Sequence, residues 1–211
     1  MIAVVDFGAG NTRSVLRAMA AVGAEATLVR APAELARAKR IVLPGVGAAG
    51  SAVAALRAAG LWDEVRARAL DGVPFLGVCL GAQLMLDGSD ENDAPGLGLL
   101  AGRARAFPRQ DAGGPRIVPH VGWNTVDFID GNRADAYFVH GYWLDPDDPD
   151  VIAATSEVDG FRFPSVLRSG TMTATQFHPE KSGAFGRALL AAFADGRLDQ
   201  PRPVASARAW I

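Results

Sequence analysis

Several kinds of chemistry are missing from this sequence. Among 211 residues there is a single cysteine, Cys79. One thiol cannot close an internal disulfide, which fits a reducing compartment. The three histidines, His120, His140 and His178, are scattered, and no Cys-x-x-Cys or His-x-x-x-His spacing occurs. A metal site therefore lacks its ligands. Lys and Arg number 21 against 23 Asp and Glu, a net charge of −2, and no basic run stands out. Nucleic acid and anionic membrane are thus not indicated as partners. No uncharged apolar run reaches membrane-spanning length. The N-terminus, MIAVVDFGAGN, has no basic leader and too short an apolar stretch before Asp6 for a signal-peptide core. The default expectation is a soluble cytoplasmic protein.

What is present is core material, at 49% hydrophobic residues, arranged in an unbroken alternation that suits one domain. Short apolar runs alternate with helical periodicity through the first half. Ile2 to Val5, Ala26 to Val29, Ile41 to Leu43 and Pro74 to Val78 read as strands. Asn11 is placed to cap a helix reaching Val22, and Ser51 to Ala59, Trp62 to Leu70 and Leu80 to Leu86 read as helices. That order argues for a parallel sheet covered by helices. The second half is strand-rich: Leu99 to Phe107, Val126 to Ile129, Tyr137 to Leu144, Val151 to Ser156, Ser165 to Arg168 and Met172 to Phe177. A helix over Ser182 to Ala194 follows. The expected fold is one α/β domain over residues 1–196, with a mixed, mainly parallel central sheet flanked by helices. Its active site is expected at the carboxyl ends of the strands. Residues 197–211 form a tail that is either disordered or packs Trp210 and Ile211 back onto the body.

The cysteine stands in Gly77-Val78-Cys79-Leu80-Gly81, the thiol counterpart of the G-x-S-x-G nucleophile elbow. A nucleophile thrust out by a sharp strand-to-helix turn sits on a strained backbone, and the flanking glycines let neighbouring elements approach without Cβ clashes. A helix beginning after Cys79 would direct free N–H groups at the sulfur and favour the thiolate. A buried structural cysteine satisfies the pentapeptide equally well, so the reading needs a base. His178 lies in QFHPEKS, after the last strand. Residues i and i+2 of an extended segment face one side, so His178 and Glu180 can point together. A carboxylate beside an imidazole fixes its tautomer and stabilises the imidazolium, which completes a nucleophile, base and orienting acid. A surface histidine beside a solvated helix start is the bland alternative.

GVCLGAQLM paired with QFHPEKS resembles the class I, triad-type glutamine amidotransferases, which hydrolyse glutamine and pass the ammonia to a partner site. Position by position, the resemblance implies Cys79 as nucleophile, His178 as base, Glu180 as orienting acid and Gln83 as a substrate contact. DFGAGN, LPGVG, PHVGWN, YFVHGYW and QFHPEKSG, in that order, are similar to the glutaminase subunits of imidazole glycerol phosphate synthases, enzymes of histidine biosynthesis. The similarity runs to about Gly196. Phe7 stands where tyrosine is usual, and Gly141 where serine is frequent.

A thioester route needs backbone donors for an oxyanion. Leu80 N–H, directly after the nucleophile, is one. The second is expected from Gly45-Val46-Gly47, where the glycines permit a peptide flip. The resemblance implies that this flip, turning the Val46 N–H into the site beside Gly45 and Gly47, is how a partner activates the glutaminase. It also implies a heterodimer with a (β/α)8-barrel cyclase subunit, and ammonia passed without meeting bulk water. His120, Trp123, Asn124 and Lys181, with Asn11, are its interface candidates. Trp123 by itself reads as a packing residue on a turn, and His140 stays open between a structural and an interface role. No metal or organic cofactor is expected. Three rival readings remain: a free-standing cysteine hydrolase, a non-catalytic relic, and a paralogous glutaminase serving another acceptor.

Overall fold

The computed structural model describes residues 1–8, 10–111 and 114–199. In chain order the elements are β1 (Ile2–Val5), α1 (Thr12–Ala21), β2 (Ala26–Val29), α2 (Pro32–Leu35), β3 (Arg40–Leu43), α3 (Ala49–Ala58), α4 (Leu61–Leu70) and β4 (Phe75–Val78). Then come α5 (Leu80–Gln83), β5 (Gly88–Ser89), β6 (Gly102–Ala106), β7 (Gln110–Asp111), β8 (Gly114–Pro115), β9 (His120–Phe128), β10 (Arg133–His140) and β11 (Tyr142–Pro146). The chain closes with β12 (Ile152–Val158), β13 (Phe161–Ser169), β14 (Met172–Thr175) and α6 (Gly183–Ala194).

A nine-stranded sheet runs in the order β10-β9-β12-β13-β14-β4-β3-β1-β2. Its β14-β4-β3-β1-β2 half is parallel, and the rest is antiparallel. The inner parallel strands β1, β3 and β4 are buried on both faces, and alternate residues feed two cores, whereas the edge strand β2 is partly exposed. Ala3, Val5, Ile41 and Leu43 pack with Leu56, Leu61 and Val65 of α3 and α4. Ile2, Val4, Val42 and Leu76 pack with Val15 and Met19 of α1 and Leu189, Leu190 and Phe193 of α6. In the antiparallel half β13 is buried through its middle, and the edge strand β10 alternates instead. On β10, Ala136, Phe138 and His140 are buried, and the residues between them reach the surface.

The expected strands are present, with boundaries shifted by a few residues. Three differences matter for the site. PHVGWN does not form a turn: from His120 onward it is the first half of β9, so Trp123 is a strand residue paired with Tyr137. The apolar run from Tyr137 to Leu144 is two strands rather than one. At Gly141 the chain leaves the large sheet, and β11 joins β6 and β5 in a three-stranded sheet. The helix after Cys79 is a single turn ending at Gln83, because the next residues fold back and their backbone pairs with the segment 97–100. The packed body also extends past Gly196. Leu198 is buried, and Asp199 makes a bidentate ion pair with Arg40. Trp210 and Ile211 lie outside the described residues.

The three catalytic-end segments meet because β3, β4 and β14 are parallel neighbours. Their carboxyl ends release Pro44-Gly45-Val46-Gly47, Cys79 and His178 on one edge of the sheet. Glycine makes the approach possible. A Cβ on Gly81 would overlap the Leu43 carbonyl oxygen, and one on Gly77 would stand 2.9 Å from the Ala82 Cα and from the Gly81 carbonyl oxygen. Gly50 in α3 has open space around it and no positive φ. Chemical denaturation of two variants checks this contrast. Gly81→Ala is expected to lose about 3 kcal/mol or more, because backbone must move. Gly50→Ala is expected to gain about 0.5–1 kcal/mol from reduced chain entropy.

Candidate active site

Cys79 directly follows β4 with φ 52° and ψ −108°, a strained conformation for a non-glycine residue. Its N–H donates to the Thr175 carbonyl at 2.8 Å, which ties the elbow to the end of β14. His178 follows β14 and is fully buried. Its backbone is held from both sides: His178 N–H donates to the Tyr137 carbonyl at 2.9 Å, and Ser182 Oγ donates to the His178 carbonyl at 2.6 Å.

The imidazole Nδ1 lies 2.7 Å from Glu180 Oε1. A carboxylate accepts, so Nδ1 carries the proton of the neutral ring and Nε2 is the free base. Nε2 is buried, and among the described residues its one neighbour for a hydrogen bond is the Cys79 thiol. Burial alone would lower the imidazole's pKa. Hydrogen bonding with Cys79 and Glu180, together with their charges, outweighs it and pushes His178 up to about 9. The arrangement therefore favours an imidazolium next to a sulfur nucleophile.

Glu180 is itself fully buried, and its Oε1 also accepts from Asn11 Nδ2. Asn11 precedes α1 but makes no side-chain cap. Its amide is spent on Glu180, the same carboxylate that orients His178. Sequence spacing had no way to show this, because 169 residues separate the two.

Gln83 ends the single turn of α5, and its Nε2 donates to the Tyr142 carbonyl at 3.2 Å and to Gln176 Oε1 at 3.4 Å. Gln176 is fully buried, and its own Nε2 lies 3.9 Å from Cys79 Sγ. It stood in QFHPEKS without an assigned role, and only the fold brings it between thiol and Gln83. A second residue that sequence reasoning passed over is Glu91. It lines a cavity of about 260 Å3 with Val46, Gly47, Cys79, Gln83 and His140. Its carboxylate also accepts from the Ala49 N–H at 2.6 Å, which anchors the start of α3 directly behind the PGVG turn. The cavity is below the ~300–1,000 Å3 range of drug-sized pockets and suits a ligand the size of an amino acid.

The two backbone N–H groups expected as oxyanion donors do not converge. Leu80 N–H points at the Gly45 carbonyl oxygen, 3.4 Å away. In a trans peptide the N–H lies opposite the carbonyl, so the Val46 N–H points away from the elbow. Gly47, at φ +99°, sits on the far side of that peptide.

The expected interface residues separate into two groups. Trp123 is 59% exposed and meets Tyr137 edge-to-face, with Lys181 Nζ over the same Tyr137 ring at 5.6 Å. His120, which was expected with them, is buried and turns inward to His140 at 3.0 Å. Asn124 follows it, donating to His120 Nε2.

A buried cysteine at a strained elbow lies beside an imidazole that a carboxylate orients, an arrangement suited to nucleophilic chemistry at sulfur. Residues 3–195 match the family described as glutamine amidotransferase class-I, and the chain belongs to that family. Solved structures share the fold. A crystal structure of a glutamine amidotransferase superposes with a TM-score of 0.73 at 23% identity, over 92% of this chain and 98% of the other. The structure of PurLQS from Thermotoga maritima gives 0.66 at 18% identity, over 94% and 96%. Within the class, the chain falls in the family of curated proteins named imidazole glycerol phosphate synthase subunit HisH. It is 43% identical to the one from Geobacillus thermodenitrificans, over 90% of this chain and 93% of that protein. The one from Rhodopirellula baltica is 40% identical, over 94% and 99%.

The Glu180 contact makes a pH prediction. Glu180 raises the His178 pKa, so its loss must lower it. In Glu180→Gln the alkaline limb of kcat/KM for glutamine hydrolysis is expected to move from near 9 down toward 6.5. A profile measured from pH 5 to 10 reads this directly; an unmoved limb would mean Glu180 does not set the base.

Proposed function

We propose that the chain is the glutaminase subunit of an imidazole glycerol phosphate synthase of histidine biosynthesis, gated by a (β/α)8-barrel cyclase partner in a heterodimer. Cys79 Sγ attacks the side-chain carbonyl carbon of glutamine. A C–S bond forms, and the carbonyl pair moves onto oxygen. His178 gives its proton to the leaving nitrogen; the C–N bond breaks, ammonia departs and a glutamyl thioester remains. His178 then takes a proton from water, hydroxide adds to the thioester, the C–S bond breaks and glutamate leaves.

The substrate's charged end needs an acceptor for its ammonium and donors for its carboxylate. Glu91 supplies the first from the cavity wall. Gln83 and the backbone around Gly45 and Gly47 are assigned to hold the rest of the amino acid.

The observation that carries the gating is the Leu80 N–H already bonded to the Gly45 carbonyl. In this state one oxyanion donor is occupied and the other faces away. Rotation of the Gly45–Val46 peptide removes the first obstacle and supplies the second donor in one movement. Loss of an oxyanion donor costs about 2.7–4 kcal/mol, or roughly 100- to 1,000-fold in kcat, so the resting chain would be nearly silent. A free-standing hydrolase would be expected to keep these donors open.

Trp123 and Lys181, clustered on Tyr137 beside the triad, form the proposed docking face with Asn124 at its edge. His120 supports that face from beneath. A closed interface there keeps ammonia out of bulk water, where protonation would abolish its nucleophilicity.

Glutamate release by the chain alone, and with the cyclase subunit and its nucleotide ligand, tests the reading. Expected are a low rate alone, a rise of roughly 100-fold or more in the complex, and none from Cys79→Ser. A high rate without any partner would discard the gate but keep the triad. Activation by a different synthase, and not by the cyclase, would reassign the pathway.

A further inference from the structure

The reaction above uses one histidine of three. The other two, His120 on β9 and His140 on β10, lie side by side and buried, with ring centroids 5.1 Å apart. Their partners determine both tautomers. A carbonyl only accepts, so His140 Nδ1, 2.8 Å from the Tyr142 carbonyl oxygen, carries that ring's proton. His140 Nε2 is then a lone pair, and His120 Nδ1, 3.0 Å away, donates to it. That leaves His120 Nε2 to accept from Asn124 Nδ2 at 3.3 Å. The Asn124 amide is itself oriented. Its Nδ2 also donates to the Glu157 carbonyl at 2.8 Å, and its Oδ1 accepts from the Thr125 N–H at 2.7 Å.

These bonds all point one way, from Asn124 toward Tyr142. They end on an oxygen that the glutamine pocket shares, because the Tyr142 carbonyl also accepts from Gln83 Nε2 at 3.2 Å. His140 lines the same cavity. Both rings must be neutral for the chain to exist, since two imidazoliums would set donor against donor. The surroundings enforce this: burial, with His120 and His178 nearby, lowers His140 to about 3, and burial lowers His120 as well. Packing alone does not require histidine here. The pair sits among Phe107, Phe138 and Phe163, where a phenyl ring would fill the same space. What a phenyl ring lacks is a directed donor and acceptor.

We propose that the neutral His120–His140 pair is a positioning device for the substrate pocket, holding the Tyr142 carbonyl, and through it the Gln83 amide, in register with the Asn124 segment of β9. The assignment of Gln83 to substrate rests on the glutaminase reading. In that reading, the partner-facing strand is connected to the substrate contact by hydrogen bonds alone, without passing through the triad.

The test is the KM and kcat for glutamine, measured in the complex with the partner. His140→Phe keeps the ring and removes both hydrogen bonds. A rise in KM of about tenfold is expected, the size of one lost hydrogen bond, with kcat within about twofold. His140→Asn restores a donor near the Nδ1 position and is expected to recover most of the KM. Equal KM values in wild type and a folded His140→Phe would overturn the proposal, as would a Phe and Asn pair that lose melting temperature and affinity alike. Imidazole 15N spectra of the wild-type chain give a readout independent of turnover. Both histidines are expected as Nδ1–H tautomers at pH 7, against the Nε2–H form that free histidine favours. An Nε2–H signal from either would also overturn it. Absence of glutaminase activity from the wild type in every mixture would instead take down the functional reading, while the spectra still decide whether the chain of hydrogen bonds exists.

Discussion

The closest backbone approach in the site is between the elbow after β4 and the end of β3. Gly81 rests so near the Leu43 carbonyl that a methyl group has no room, and a Cβ on Gly45 would stand 2.9 Å from the Gly81 nitrogen. Because these two turns touch without side chains between them, the Leu80 N–H and the Gly45 carbonyl can bond at all. Cys79, the Leu80 N–H and the Gly45–Val46 peptide are therefore one packed unit. A looser approach would leave room for side chains, and the donor would then be too far from its substrate.

The parallel and antiparallel halves of the sheet contribute differently. The parallel half, buried on both faces at β1, β3 and β4, releases Cys79 and His178 at its carboxyl edge. On the antiparallel side β13 is buried through its middle, and β9 nearer the edge presents Trp123 outward while turning His120 inward. The period of two along β9 sets Trp123 and His120 on opposite faces of one strand. His178 and Glu180 follow β14, the strand at which the two halves join.

Burial has opposite consequences for the histidines. His178 is enclosed with a carboxylate and a thiol, and their charges hold its proton firmly. His140 is enclosed among aromatic rings and another imidazole, with only a carbonyl and a neutral ring to bond, and loses its proton easily. The same side chain becomes a strong base in one pocket and a neutral linker in the other, decided by whether a negative charge is enclosed with it.

The amino-acid sequence by itself determined the alternation of strands and helices in the first half, the nucleophile on its glycine-flanked turn, and the pairing of His178 with Glu180 two positions on. Those features depend on local period and short-range spacing, which a linear reading carries. Only the tertiary structure decided that Asn11 reaches Glu180, that Gln176 stands between Cys79 and Gln83, that Glu91 forms a wall of the cavity, and that His120 points inward. It also split the run from Tyr137 to Leu144 at Gly141, because the chain changes sheets there. Each of these joins residues far apart in sequence, and one glycine gives no local sign of which sheet follows it. Such contacts arise when β3, β4 and β14 align their ends, and that alignment is a property of the packed sheet.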